Sequence, residues 1–157
     1  MISFNSCRVR RFTLIVAVIL TSIIGGMAST NTSIDSWYLS LNKSELNPPG
    51  YVFGIVWPIL YVFMMISAVL THKKTYLLFL SQLVLNASWS WLFFNFQMPL
   101  LALLDIYILI FLNIYISKLM YFESKVAFSL YLPYVIWITF ASYLNLCLLY
   151  TSDAADD

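Results

Sequence analysis

Charge is what this chain most lacks. Only 10% of its 157 residues are Asp, Glu, Lys or Arg, against 62% hydrophobic, whereas soluble domains run nearer a quarter charged. Mean hydropathy is +0.86. A soluble fold of this size could not hide so much apolar surface and stay dispersed. Histidine and cysteine are also scarce. His72 is alone, beside Lys73 and Lys74, and Cys7 and Cys147 stand at opposite ends with no CxxC pair. That argues against a metal cluster and against a disulfide framework. The net charge of +1 offers no basis for a nucleic-acid partner. No phosphate loop, catalytic triad or paired-carboxylate pattern is present.

What the chain has instead is long apolar runs. A spanning helix needs about 20 mostly apolar residues to cross roughly 30 Å of hydrocarbon. Five segments reach or approach this, at about 12–28, 51–71, 76–95, 99–120 and 126–150. The expected fold class is therefore all-α, an integral membrane bundle of five transmembrane helices forming one domain, with the lipid bilayer as solvent. An open sheet would leave backbone groups unsatisfied in lipid, and the alternation of a barrel strand is missing. The connection at 29–50 holds most of the polar character, including Asn31, Thr32, Ser33, Asp35, Asn42, Lys43 and Glu45, and ends at Pro48-Pro49-Gly50. Such a loop is either a solvated link or a functional element, and the sequon at Asn31 matters only in a secretory pathway.

Position, not sum, makes the basic residues informative. With five spans, Arg8, Arg10, Arg11, Lys73, Lys74, Lys118 and Lys125 share one side and only Lys43 lies on the other. Seven against one places the N-terminus in the cytoplasm, as in a bacterial inner membrane, with a mitochondrial membrane left open. The first run, following Arg8–Arg11 and ending in small residues, also fits a cleavable signal peptide. At the far end, CLLYTSDAADD (147–157) reads as translated sequencing adapter, which would set Asp153, Asp156 and Asp157 apart from the fold.

Polar residues inside membranes are costly and usually face a partner or a cavity. Gln82, Asn86, Trp89 and Phe93 are spaced by four, three and four, on one helix face. Trp57 and Tyr61 are four apart, and Trp137, Ala141 and Asn145 follow the same spacing. Any single Trp fits an interfacial belt, and amides also join helices. Three helices presenting aromatics, two of them with an amide, suit a pocket that stacks a flat apolar ligand and hydrogen-bonds its edge. Asp105 is the one acid within a span, either a proton carrier or a headgroup-level residue near the start of its helix at Pro99.

These residues fall into four ordered blocks. Trp37-Tyr38, Leu41, Lys43, Pro48-Pro49, Phe53, Val56-Trp57 and Leu60-Tyr61 make the first, and Gln82-Leu83, Leu85-Asn86, Trp89 and Phe93-Phe94 the second. Ala102-Leu103 with Asp105 is the third, and Pro133-Tyr134, Trp137, Phe140-Ala141 and Leu144-Asn145 the fourth. From Trp37 to Asn145 the chain resembles the TspO/MBR family, the tryptophan-rich sensory and translocator proteins. It departs from the pattern at Ser44 and Ile55, where proline is usual, and at Tyr143, where a small residue is usual.

The resemblance implies a retained first helix and a five-helix bundle, often a homodimer, whose loop 29–50 closes over a pocket. It implies a receptor or sensor for porphyrin or heme-type tetrapyrroles or sterol-like lipids, with no tightly bound cofactor. Alternatives are a transporter of such molecules and light-dependent porphyrin breakdown through Trp57 and Trp137. Carried over by motif, Trp57, Asn86, Trp89, Trp137 and Ala141 line the pocket, with Tyr38, Pro48 and Pro49 from the lid. Tyr61, Phe93 and Asn145 join them by sharing their helix faces. No catalytic or metal-ligating residue is expected.

Overall fold

A computed structural model describes residues 2–30 and 35–153. The loop residues Asn31, Thr32 and Ser33 and the terminal Asp156 and Asp157 lie outside these. The described chain folds as α1 (Ile2–Ser29), a short α2 (Ser36–Ser40), α3 (Gly50–Leu70), α4 (His72–Ser90) with a π-helical turn (Trp91–Asn95), α5 (Pro99–Glu123) and α6 (Lys125–Asp153). Five of these are long and apolar enough to cross a bilayer. The chain is a multi-pass integral membrane protein.

Local chemistry sets the helix ends. Pro49, at φ −55° and ψ 146°, stops the loop and opens α3 at Gly50. Pro99 occupies the first turn of α5, where a missing N–H costs nothing. Single residues join α3 to α4 and α5 to α6. Thr71 returns its N–H and hydroxyl to the Ser67 carbonyl at 3.1 and 2.8 Å. Ser124 turns extended, and its hydroxyl oxygen caps α6 by accepting from the Ala127 N–H at 3.2 Å. Such short joints make the helices they join run in opposite directions.

α1 begins about ten residues before the apolar run, so Arg8, Arg10 and Arg11 lie within the helix. At the other end, α6 runs unbroken through Cys147–Asp153, the string set apart in the sequence. Leu148 there is buried, and the Thr151 hydroxyl donates to the Asn42 carbonyl at 3.0 Å.

The five long helices pack as a closed ring, α1 against α3, α3 against α6, α6 against α5, α5 against α4 and α4 against α1. Lipid-facing Phe111 and Leu77 are about three-quarters exposed, while Gln82, Asn86, Asn113 and Asn145 are buried. This is the inside-out polarity expected when hydrocarbon, not water, surrounds the bundle. Arg10 lies over the Tyr76 ring and Lys74 pairs with Glu123 at 3.1 Å. The starts of α1 and α4 and the end of α5 therefore share one end of the bundle.

Candidate functional site

At the opposite end, beneath the 35–49 segment, lies a cavity of about 630 Å³. α1 supplies Ser22, Gly25, Gly26 and Ser29, spaced so that small side chains alone face the space. α3 supplies Phe53, Gly54, Trp57, Pro58 and Tyr61, and α4 with its π turn supplies Trp89, Ser90 and Phe94. A Cβ added at Gly26 or Gly54 would meet nothing within 4 Å. The cavity thus exists because two helices withhold side chains there. Pro58 also removes the N–H that would pair with the Gly54 carbonyl, leaving that oxygen without its helical partner on the same wall.

The roof is tied down at several points. Asp35 caps α2, accepting from the Trp37 N–H at 2.9 Å, and its other oxygen accepts from Gln97 Nε2 at 3.4 Å. Gln97 sits at φ 56°, the left-handed region, in the turn after the π helix. The π turn is closed by the Phe96 N–H donating to the Trp91 carbonyl at 2.8 Å. Its register turns both Phe93 and Phe94 to the lid, Trp37 meeting Phe93 at 6.0 Å and Tyr38 meeting Phe94 at 5.8 Å between ring centres. Trp91 Nε1 donates to the Ile24 carbonyl at 3.1 Å, pinning α1 to the same turn. π turns concentrate at functional sites because they re-aim side chains in this way.

Lys43 folds back over the lid. Its ammonium donates to the Tyr38 carbonyl at 2.6 Å and stands 4.1 Å from the Tyr38 ring centre. Burial pulls the Lys43 ammonium below its ordinary value and pushes the Tyr38 phenol above its own.

A smaller cavity of about 40 Å³ lies alongside, bordered by Phe93, Ala141, Leu144, Asn145 and Leu148. Tyr38, Lys43, Phe53, Trp89 and Phe94 border both spaces. Trp89 stacks on Phe93 at 5.7 Å and 18° between planes. Its Nε1–H is buried and has no acceptor among the described residues.

The anticipated residues therefore divide. Tyr38, Pro48, Pro49, Trp57, Tyr61 and Trp89 border the larger cavity, and Phe93, Ala141 and Asn145 the smaller. Asn86 borders neither. It accepts from the Tyr61 hydroxyl at 2.7 Å and donates to the Tyr134 hydroxyl at 3.1 Å, and Tyr134 donates on to Gln82 Oε1 at 2.8 Å. Its amide is spent on holding tyrosines. Trp137 also borders neither; it stands behind Phe53, ring centres 5.7 Å apart, close to edge-on. Asn145, with its amide oriented to satisfy both ends, donates to the Pro99 carbonyl and accepts from the Leu103 N–H, each at 3.1 Å. Asp105 is half-buried in the second turn of α5, and its Oδ2 has no partner among the described residues. The α1 residues were missed, because glycine and serine carry no chemical signal. Their spacing of three, one and three was the available clue.

Five spans packed as a ring, with an aromatic-walled cavity beneath the 35–49 segment, define a multi-pass membrane protein with an internal cavity. The TspO/MBR family model matches residues 12–151, and the chain belongs to that family. It is 39% identical over 149 residues to the tryptophan-rich protein TspO of Chlorobaculum tepidum, covering 87% of this chain and 94% of that one. Against its namesake in Archaeoglobus fulgidus the identity is 36% over 141 residues, with coverage of 83% and 92%. The human translocator protein is 31% identical over 121 residues, covering 71% and 72%.

Proposed function

We propose that this protein is a membrane receptor or sensor that binds a porphyrin or heme-type tetrapyrrole in the larger cavity. One observation carries the reading, the cavity of about 630 Å³ walled by the rings of Trp57, Tyr61, Trp89, Phe94 and Tyr38. That volume is within the range of small-molecule sites, roughly 300–1,000 Å³. A flat macrocycle is a ligand shape that meets several ring faces at once, and each Å² of apolar surface removed from water contributes about 25 cal/mol. Trp57 is itself held, by Tyr61 at 5.6 Å and Tyr134 at 6.4 Å between ring centres. The basic residues put the N-terminus in the cytoplasm in this reading, so the lid opens on the far side.

The test is a titration of the purified protein with protoporphyrin IX, following tryptophan fluorescence. Saturable quenching that Trp57→Ala weakens supports the site. Equal affinity in a folded Trp57→Ala variant removes it, and competition by a sterol but not by porphyrin redirects it to lipids. The name of the human relative favours a second reading, translocation of such a ligand. Absence of ligand flux in proteoliposomes, with binding intact, leaves the sensor.

A further inference from the structure

The end of the bundle away from the lid carries an unbalanced charge. Arg8, Arg10 and Arg11 on α1, Lys73 and Lys74 on α4, Lys118 on α5 and Lys125 on α6 are all exposed there. The acid among them is Glu123, and it is already paired with Lys74. Lys125 lies over the Tyr121 ring, within the α5–α6 joint. Arg10 and Lys73 are placed differently. Arg10 reaches from α1 across to α4, its guanidinium carbon 5.4 Å from the centre of the Tyr76 ring. Lys73 stands three residues before Tyr76, on the same face of α4. Neither has an ion-pair partner among the described residues. Two cations from different helices thus flank one phenol ring at the mouth of the α1–α4 seam. Beyond them the surface of α4 turns apolar. Lys73, Leu77, Leu80 and Val84 follow at spacings of four, three and four, and Leu77 and Val84 are 74% and 67% exposed. From Lys73 to Val84 is about 16 Å of helix, roughly the hydrocarbon depth of one leaflet.

We propose that the α1–α4 seam binds an anionic phospholipid, its phosphate between Arg10 and Lys73 and an acyl chain along Leu77, Leu80 and Val84. Membrane topology requires a sum of positive charges on one side. It does not require two of them beside one ring at the head of an apolar strip. A headgroup phosphate supplies the missing negative charge, through charge-assisted hydrogen bonds from guanidinium and ammonium. The Tyr76 ring steadies Arg10 by a cation–π contact, which leaves the guanidinium N–H groups for the phosphate. A zwitterionic lipid carries its own ammonium and gains less. A soluble acidic partner would meet the charge and leave the strip bare. The site is separate from the lidded cavity and does not depend on what that cavity binds.

The experiment is native mass spectrometry of the full chain, delipidated in detergent and titrated with an equimolar mixture of phosphatidylglycerol and phosphatidylcholine of matched acyl chains. The ratio of the first lipid bound gives the relative affinity, and circular dichroism checks the helicity of each variant. The parent is expected to prefer phosphatidylglycerol by about fivefold or more, the contribution of roughly one basic residue at an anionic surface. Arg10→Gln with Lys73→Gln should lose most of that preference, and Arg10→Lys with Lys73→Arg should keep it. Lys118→Gln with Lys125→Gln removes the same charge from the same end, away from the seam, and should also keep it. Equal binding of the two lipids by the parent overturns the proposal. So does an equal loss in both charge-removing pairs, which marks a diffuse surface potential rather than a site. Excess glycerol 3-phosphate at matched ionic strength should leave the bound lipid in place. Its displacement would assign the seam to a free phosphate and overturn the lipid.

Discussion

The Tyr61 hydroxyl, on the cavity wall, donates to Asn86 Oδ1 at 2.7 Å. Asn86 passes the polarity inward to Tyr134 and so to Gln82, linking α3, α4 and α6 through four buried side chains. In hydrocarbon these groups have no water to fall back on, so the network holds the aromatic wall in one arrangement.

Asn86→Leu is therefore expected to lower stability more than ligand affinity. It orphans the Tyr61 hydroxyl and removes the donor to Tyr134. Hydrogen bonds between membrane helices contribute about 0.6–1.7 kcal/mol each, so a loss of about 1–3 kcal/mol should appear as earlier thermal unfolding in detergent. Tyr134→Phe, which removes the hydroxyl between Asn86 and Gln82, should fall in the same range. A variant as stable as the parent would falsify the structural role.

Gly54→Leu should do the opposite. A side chain there grows into open space, so it fills the cavity without displacing neighbours and blocks porphyrin while leaving the unfolding temperature unchanged or raised. A destabilised Gly54→Leu protein would mean the space is not there.

Trp57 and Trp137 should separate. Trp57 borders the cavity, whereas Trp137 reaches it only through Phe53. Trp57→Ala is expected to weaken porphyrin by tenfold or more, about 1.4 kcal/mol for a lost ring contact. Trp137→Ala should cost about threefold or less, through a loosened Phe53. Titrations of the two variants side by side decide it, and equal losses would put Trp137 in the pocket.

The lid should loosen without the bundle melting when its latch is cut. Asp35→Ala removes the α2 cap and the contact with Gln97, a local loss of about 1 kcal/mol. Hydrogen exchange across Ser36–Ser40 should quicken while α3–α6 stay protected. Gln97→Gly, which relieves a positive φ, keeps the turn but loses the contact. It should reproduce part of the effect. Uniform exchange in parent and both variants would show that aromatic contacts alone hold the lid.

Much of this was legible in the chain. The spacing of Gln82, Asn86, Trp89 and Phe93 placed four side chains on one face, and all four are buried. What spacing could not tell is which buried residue meets empty space. Asn86 and Trp89 lie one turn apart on that face, yet the first is consumed by two tyrosines and the second borders both cavities. Lys43 belongs to the first motif block, but a lysine in a loop reads as solvated until the fold lays it over Tyr38.

By itself the sequence determined the spans, the polar faces and the family. Those follow from what each segment needs of its solvent, apolar length against hydrocarbon and amides turned inward, and such needs are met locally. Only the tertiary structure decided where the cavity is. It lies beside α1, between Gly26 and Gly54, away from Trp137. A cavity is a gap between helices, made where side chains are missing from two of them at once, and no single segment records that.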